Sequence, residues 1–495
     1  MINTIILLFG IIHVCFSLKK NPVLKFGGSS LANIKRLKNV GDIISDISIN
    51  DQLPVVVLSA IGSTTNKLLE ASYSALNDDD ISKSLSLIND VKSNHYLIFN
   101  FIKDNSKNNL KNNKVKFERD TLIAKRDIDE YFTNLINILK GIHLLNELSP
   151  VVIDNVSSFG ERLSVRLFAY LINNMCLEDS EIEAEFYDSW DLGLKADGCH
   201  NDSKFIEDDY VKDTVKMSIE SIIKRNKIPI VTGFICKNLD GKITTLGRGG
   251  SDLTATFIGE CCGSREIQVW KDVNGLMTAD PKVVKNAKPL SKLSYEQASE
   301  LAYFGAKILH PISMLPAKKS EIPVIIKNSY NVTNEGTFIS NELNNDDDKE
   351  YIVAMTSKKD ITLIDIVSTR MLEQTGFLSK VFKIFEEDNI SIDVIATSEI
   401  SISLTLDNKN IISKNAIDKL NKISCVRVKK DHSILSFIVN IDKSNEVLSK
   451  ILYILSKNGI NAEMISQGAS KVNISIVIHS KDVNKALNLV HNNFF

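Results

Sequence analysis

A chain of 495 residues is too long for one ordinary domain and should hold two to four. Its 43% hydrophobic and 24% charged residues are those of a soluble globular protein, and a formal net charge of −2 excludes a general nucleic-acid or membrane-surface role, so any anion site must be local. The seven cysteines form no Cys-x-x-Cys pair and show no zinc-like spacing with histidine, which fits a reducing compartment.

Residues 1–18 are apolar (Ile5-Ile6-Leu7-Leu8-Phe9, then Ile11-Ile12), and Lys19-Lys20 follows. The apolar stretch is short for a bilayer span and reads as a secretory signal or targeting segment; an additional buried strand or helix is the alternative. Asn155-Val156-Ser157 and Asn331-Val332-Thr333 are glycosylation sequons. The first abuts a stretch assigned below to the active site, which disfavours residence in the secretory lumen and favours onward import into an organelle.

Val23-Leu24-Lys25-Phe26 reads as a short apolar strand that breaks into Gly27-Gly28-Ser29-Ser30. Paired glycines before a helix leave amides uncovered for an anion, and Lys25 can place an ammonium on the same anion. The spacing is not that of a P-loop. Val55-Val56-Val57-Leu58 is a second buried strand, ending at Ser59-Ala60 with Thr65-Asn66 soon after; strand ends of a parallel sheet converge on one crevice. Residues 77–130 are polar and helix-like and read as a peripheral insertion. In Ser157-Ser158-Phe159-Gly160-Glu161-Arg162-Leu163-Ser164 the glycine suggests a turn, with Glu161 at a helix start. There it serves either the helix dipole or a substrate ammonium.

Ile228–Val231 and Ile267–Trp270 are further buried strands, so that 23–330 alternates strands, helices and glycine turns as α/β proteins do. Thr244-Thr245-Leu246-Gly247-Arg248-Gly249-Gly250-Ser251-Asp252-Leu253-Thr254 is the densest polar motif. Arg248 can grip a carboxylate in two-pronged fashion, Ser251 and the glycine amides can cap oxyanions, and Asp252 can steer an amine, a phosphate-bound Mg²⁺ or the helix cap. Trp270 to Lys282 is a polar loop able to hold a nucleotide, with Lys271 or Lys282 near phosphates; an ordinary surface loop is equally compatible. Phe304-Gly305-Ala306-Lys307-Ile308-Leu309-His310-Pro311 adds Lys307, while His310 is given no catalytic role.

Asn341 to Lys349 is the best linker. Beyond it the chain repeats: Leu378–Phe385 leads to Asn389-Ile390, and Leu448–Leu455 leads to Gly459-Ile460. Each copy reads helix, strand, turn, strand, ending in the alternating runs Ile400–Leu404 and Val472–Ile476.

Lys25–Ser30, Phe159–Arg162, Gly247–Asp252, Trp270–Pro281 and Phe304–Pro311 stand in the order found in aspartate kinases of the amino acid kinase superfamily, which the chain resembles from Pro22 to its C-terminus. The resemblance implies an α/β amino acid kinase fold, a sheet sandwiched by helices, over 22–330. Two ferredoxin-like α+β ACT domains would follow at 351–430 and 431–495. It implies transfer of the ATP γ-phosphate to L-aspartate, giving 4-phospho-L-aspartate at the entry to lysine, threonine, methionine and isoleucine synthesis.

The resemblance also assigns roles by position. Lys25 and Asp252 would be catalytic, with Gly27 and Gly28 donating amides to ATP. Ser59, Ala60, Thr65, Glu161, Phe234, Arg248 and Ser251 would bind aspartate: Glu161 its ammonium, Arg248 its α-carboxylate. Lys271, Asp272, Met277, Asp280, Lys282 and Lys307 would complete the ATP site, Met277 standing where the family often has an aromatic ring. Mg²⁺ would accompany ATP, its protein ligands unassigned.

The first repeat resembles that of lysine-inhibited, plant-type monofunctional enzymes. Lysine would be held by Met371, Gly376, Phe377, Leu378, Ser391, Ile392, Asp393, Ser398 and Glu399, with Asp393 on its amino group. Glu373 and Gln374 depart from bacterial relatives. A homodimer through the ACT domains, no nucleic-acid partner, no membrane attachment of the mature form and a plastid location are implied, the cytoplasm being the alternative location. Rival readings are a superfamily kinase for glutamate, acetylglutamate, uridylate or carbamate, and a non-catalytic amino-acid sensor on a dead kinase scaffold.

Overall fold

The structure is a computed structural model that describes residues 20–50, 52–106, 114–177, 181–305, 309–341, 351–367, 376–407, 412–468 and 472–495. The expected targeting segment 1–18, most of the linker, Lys307 and Met371 lie outside the described residues. The chain forms two compact units, Met1–Val269 and Trp270–Phe495.

In the first unit the elements follow in the order β1 (Val23–Phe26), α1 (Ile34–Asn50), β2 (Val55–Leu58), α2 (Thr64–Asn77), α3 (Ser82–Asn105), α4 (Lys114–Leu145), α5 (Pro150–Met175), β3 (Glu183–Tyr187), α6 (Asp209–Lys224), β4 (Lys227–Thr232), β5 (Ile235–Lys237), β6 (Ile243–Thr245) and α7 (Gly250–Cys262). The strand β7 (Ile267–Lys271) ends it. The sheet runs β3-β4-β2-β1-β7, with β3, β4, β2 and β1 parallel. The parallel pattern explains the apolar runs: β1 and β2 are buried along their whole length, as central strands covered on both faces must be, with Lys25 of β1 the polar exception. Each such aliphatic side chain contributes roughly 1.5–3 kcal/mol relative to exposure. Helix α5 packs on β3 and β4, α6 on β4, and α7 on β1 and β2.

The polar insertion is helical as expected, but its two helices are amphipathic rather than polar throughout. Ile88, Val91, Ile98, Phe99 and Ile102 of α3, and Ile128, Phe132, Leu135 and Leu139 of α4, are buried, and both helices pack against α2 and α5.

The second unit opens with β8 (Lys292–Ser294), α8 (Tyr295–Tyr303), α9 (Leu315–Lys319), β9 (Val324–Asn328) and β10 (Thr337–Ser340), joined as β9-β10-β8. The repeats follow: β11 (Ile352–Val367), α10 (Phe377–Glu387), β12 (Ile392–Thr397), β13 (Ser401–Leu406), α11 (Lys414–Asn421), then β14 (Cys425–Val439), α12 (Ser444–Lys457), β15 (Met464–Gln467), β16 (Asn473–His479) and α13 (Val483–Phe494). Both copies are strand-helix-strand-strand-helix. Their helices bury the same periodic stripe, Phe377, Val381 and Phe385 in one, Val447, Ile451 and Leu455 in the other. The long central strands β11 and β14 pair antiparallel and join both copies in a single sheet of order β12-β13-β11-β14-β16-β15.

Candidate active site

Lys25 lies inside β1 with 5% exposure, and its ammonium meets the Asp252 carboxylate at 2.6 Å. Asp252 stands in the first turn of α7, where the helix dipole favours a negative charge. The loop that delivers it needs its glycines. Gly247 and Gly249 have φ of 66° and 78°, left-handed values that strain any other residue. A β-carbon on Gly233 would lie 2.6 Å from Cβ of Ser251, so that glycine permits β4 and α7 to close on each other.

Ser251 Oγ accepts from Ser59 Oγ at 3.0 Å, which brings the end of β2 to the start of α7. Gly28 is equally constrained: a β-carbon there would lie 2.9 Å from the carbonyl oxygens of both Ala60 and Gly62. The turn after β1 and the turn after β2 therefore touch backbone to backbone, with Gly62 N–H donating to Gly28 O at 3.1 Å. The strand ends of β1 and β2 and the start of α7 therefore meet, as the parallel-sheet reading expected.

Glu161 comes to the same place from α5, but not from a helix start. The helix runs from Pro150, with Ser149 at its N-cap, and Glu161 lies in its middle. Gly160 is not a turn. It is small because a β-carbon would lie 2.9 Å from Ala60 Cβ and 3.1 Å from Thr65 Oγ1, so the glycine lets α5 press against the predicted substrate segment. Glu161 is 3% exposed; one carboxylate oxygen accepts from the Ala60 amide at 3.2 Å, and the other has no hydrogen-bond partner among the described residues. Burial raises its pKa to about 8, against the opposing pull of the Ala60 amide and the Lys25 charge. A desolvated carboxyl with an unused oxygen is suited to a cationic donor.

The arginine of that motif has a different task. Arg162 bonds Asp188 at 3.1 Å and stacks over Tyr131 at 4.6 Å, so it fastens α5 to its neighbours. Phe234 adopts φ of 68°, receives the Leu246 amide at its carbonyl and packs against Gly250. Arg248 is exposed at the tip of its loop. Lys25, Gly28, Ser59, Ala60, Thr65, Glu161, Phe234, Ser251 and Asp252 thus form a connected neighbourhood within the first unit.

The residues expected around the nucleotide base and phosphates belong to the second unit. Lys271 is half-buried and its carbonyl accepts from the amide and hydroxyl of Ser329; Asp272, Asp280 and Lys282 are exposed, and Asp280 accepts the Lys282 amide. The loop is built rather than loose. Gly275 at φ 99° abuts Thr337, Met277 bridges to Pro289, and Thr278 shares a buried hydrogen bond of 3.0 Å with His491 of α13.

Among the expected effector residues, Gly376 (φ 83°) caps α10, Phe377 is buried, and Leu378, Ser391 and Glu399 are exposed. Ile392 begins β12, and Ser398 bonds Ser401 across the β12–β13 turn. Asp393 is 5% exposed at its side chain and already holds a cation: Lys358 Nζ lies at 2.7 Å, with the Tyr303 hydroxyl at 3.3 Å. Lys358 sits where the β11–β14 register slips, two residues before Asp360 at φ 58°, and also reaches Asp407 at 3.3 Å. No motif pointed to Lys358. Among the described residues no group of three or more His, Cys, Asp or Glu side chains gathers as a metal cage.

Residues 21–328 match the amino acid kinase family model, and 364–422 and 439–494 each match an ACT domain model. The chain is 40% identical to chloroplastic aspartokinase 2 of Arabidopsis thaliana over 96% of this chain and 84% of that one. Escherichia coli aspartokinase III with aspartate and ADP, called its R-state, superimposes with a TM-score of 0.77 at 26% identity, covering 96% of this chain and all of the other. The same enzyme with lysine and aspartate, called its T-state, gives 0.73 at 27% identity, covering 96% and 99%. The resemblance read from the five ordered motifs is borne out, and the plastid assignment agrees with the chloroplastic relatives. With its two glycine turns meeting at the Lys25–Asp252 pair, and with these matches along nearly its whole length, the chain belongs to the aspartokinase family of ATP-dependent kinases.

Proposed function

We propose that this chain transfers the γ-phosphoryl group of ATP to the side-chain carboxylate of L-aspartate, giving 4-phospho-L-aspartate and ADP, and that lysine inhibits it. The observation that carries the reading is the meeting of Glu161, Ser59, Ser251 and the Lys25–Asp252 pair in one neighbourhood.

In this mechanism Glu161 takes the substrate ammonium on its unused oxygen and becomes ionised as it does so. Arg248 clamps the α-carboxylate, and Ser59 and Ser251 orient the chain. The nucleophile is the β-carboxylate, already ionised at neutral pH, so no general base is required. One of its oxygens forms the bond to γ-phosphorus while the bond to the ADP oxygen breaks. Lys25 neutralises the charge spread over the equatorial oxygens, helped by the Gly27 and Gly28 amides. Mg²⁺ would arrive on ATP and screen its phosphates. Asp252 is the carboxylate at hand for it, in keeping with the preference of that ion for one or two carboxylates plus phosphate and water.

Lysine would place its amino group on Asp393, where it competes with Lys358. A homodimer built through the ACT repeats belongs to the same reading. The test is an ADP-release assay with hydroxylamine trapping of the acyl phosphate. L-Aspartate should be the acceptor, and lysine at millimolar concentration should suppress turnover. Equal or greater turnover with glutamate, acetylglutamate, uridylate or carbamate would give the site to another superfamily reaction, and no turnover with any of them would make the chain a sensor.

A further inference from the structure

Asp154 is fully buried, lies on α5 two turns before Glu161, and therefore occupies the same helix face. It serves as acceptor for three donors from elsewhere in the chain. Thr245 Oγ1 donates to Oδ1 at 2.6 Å, the Asn201 amide reaches the carboxylate at 3.2 and 3.3 Å, and His200 Nδ1 lies 2.7 Å from Oδ2. Thr245 is the last residue of β6 and leads directly into the loop that carries Arg248. The 197–204 segment is tied to the same place, since the Ser203 amide donates to Thr245 O at 2.9 Å. Asp202 presses on the loop itself: a β-carbon on Gly247 would lie 2.5 Å from its carboxylate oxygen.

We infer that Asp154 is a positioning residue for substrate recognition, acting through Thr245 to hold the Arg248 loop in register with Glu161. One rigid helix then fixes both ends of the amino-acid substrate. Glu161 meets the ammonium directly, and Asp154 sets the carboxylate clamp at one remove, by way of a hydroxyl and the backbone of β6. A buried carboxylate with three donors is costly to strip of any one of them, which makes the link stiff. The inference rests on the reading in which Arg248 binds the α-carboxylate.

Thr245→Val removes only the hydroxyl that donates to Asp154 and keeps shape and burial. It should raise KM for L-aspartate about tenfold while KM for ATP stays within about twofold, because misplacement of the clamp touches one substrate alone. Thr245→Ser should restore the aspartate KM. Asp154→Ala should resemble Thr245→Val or exceed it, and in the double variant the two effects should not add, as expected for one shared link. An unchanged aspartate KM in folded Thr245→Val, or parallel rises for aspartate and ATP, would overturn the inference. Arg248→Ala separates the two failures: if it also leaves the aspartate KM unchanged, the clamp reading itself falls. If it raises that KM while Thr245→Val does not, only the role of Asp154 falls.

Discussion

Each unit contains a short, protected lysine–aspartate pair, Lys25–Asp252 at 2.6 Å in the first and Lys358–Asp393 at 2.7 Å in the second. Distance barely distinguishes them, although Lys358 is more exposed than Lys25, and the proposed function gives them opposite working members. Lys25 lies beside glycine turns and the start of α7, and in the proposed reaction it is the member that meets the phosphoryl group, with Asp252 beside it as the carboxylate at hand for Mg²⁺. Around Asp393 stand an ammonium and a phenol hydroxyl. In the proposed inhibition that carboxylate receives the effector, and Lys358, with Asp407 as a second partner at 3.3 Å, is the group displaced. A buried ion pair is weak evidence for stability by itself; what each pair does is set by the neighbours it recruits.

The largest expected effect breaks the first pair. Lys25→Ala should lower kcat by about a thousandfold or more with an unchanged circular-dichroism spectrum, since phosphoryl transfer relies on charge neutralisation rather than on a base. Near-normal aspartate-dependent ADP release from the folded variant would give the two pairs equal, merely structural standing.

Next comes Glu161, whose second carboxylate oxygen, in contrast to Asp393, has no hydrogen-bond partner among the described residues. Glu161→Gln should raise the aspartate KM about a hundredfold by removing the charge that the ammonium induces. On the proposed reading the same carboxyl would make substrate binding release a proton. Aspartate affinity should therefore improve with rising pH, by up to about tenfold per unit, and level off above the pKa of about 8. A flat profile from pH 6 to 8 would contradict this.

The stability of the substrate-free enzyme should move the other way. The folded-state pKa of Glu161 lies above its unfolded value, so between about pH 4.5 and 8 the native state holds a proton that the unfolded chain has lost. The Glu161 contribution is present at the acid end of that window and is lost toward pH 8. Glu161→Gln, which is neutral throughout, should flatten that part of the Tm profile.

The smallest effect sharpens the second pair. Lys358→Met removes the internal competitor for Asp393 and should lower the half-inhibitory lysine concentration by about three- to tenfold, whereas Asp393→Asn should abolish inhibition and leave kcat unchanged. Unaltered inhibition in both variants would remove Asp393 from the effector site.

Much of this arrangement was legible from residues alone, for physical reasons that differ by element. The β1 and β2 strands declared themselves because strands covered on both faces are mostly apolar, Lys25 being the exception in β1, and the repeats because both α10 and α12 carry the same stripe. Glu161 was found, but its helix was not: Gly160 suggested a turn, whereas the missing side chain serves the contact with Ala60 and Thr65. Asp154 escaped notice because its partners lie 46 to 91 positions away, although a lone acid on the apolar face of α5 was a visible signal. Lys358 could not be found by motif, since its meaning depends on a slip in strand register.

The antiparallel zipper of β11 with β14 carries a consequence for protein engineering. Truncation after the first repeat would strip β11 of its partner along most of its sixteen residues and bare a long, largely apolar ladder of unpaired amides and carbonyls. Such an edge templates aggregation, so the regulatory half of this enzyme should be expressed as an undivided tandem, and shortened forms should be recovered as insoluble material.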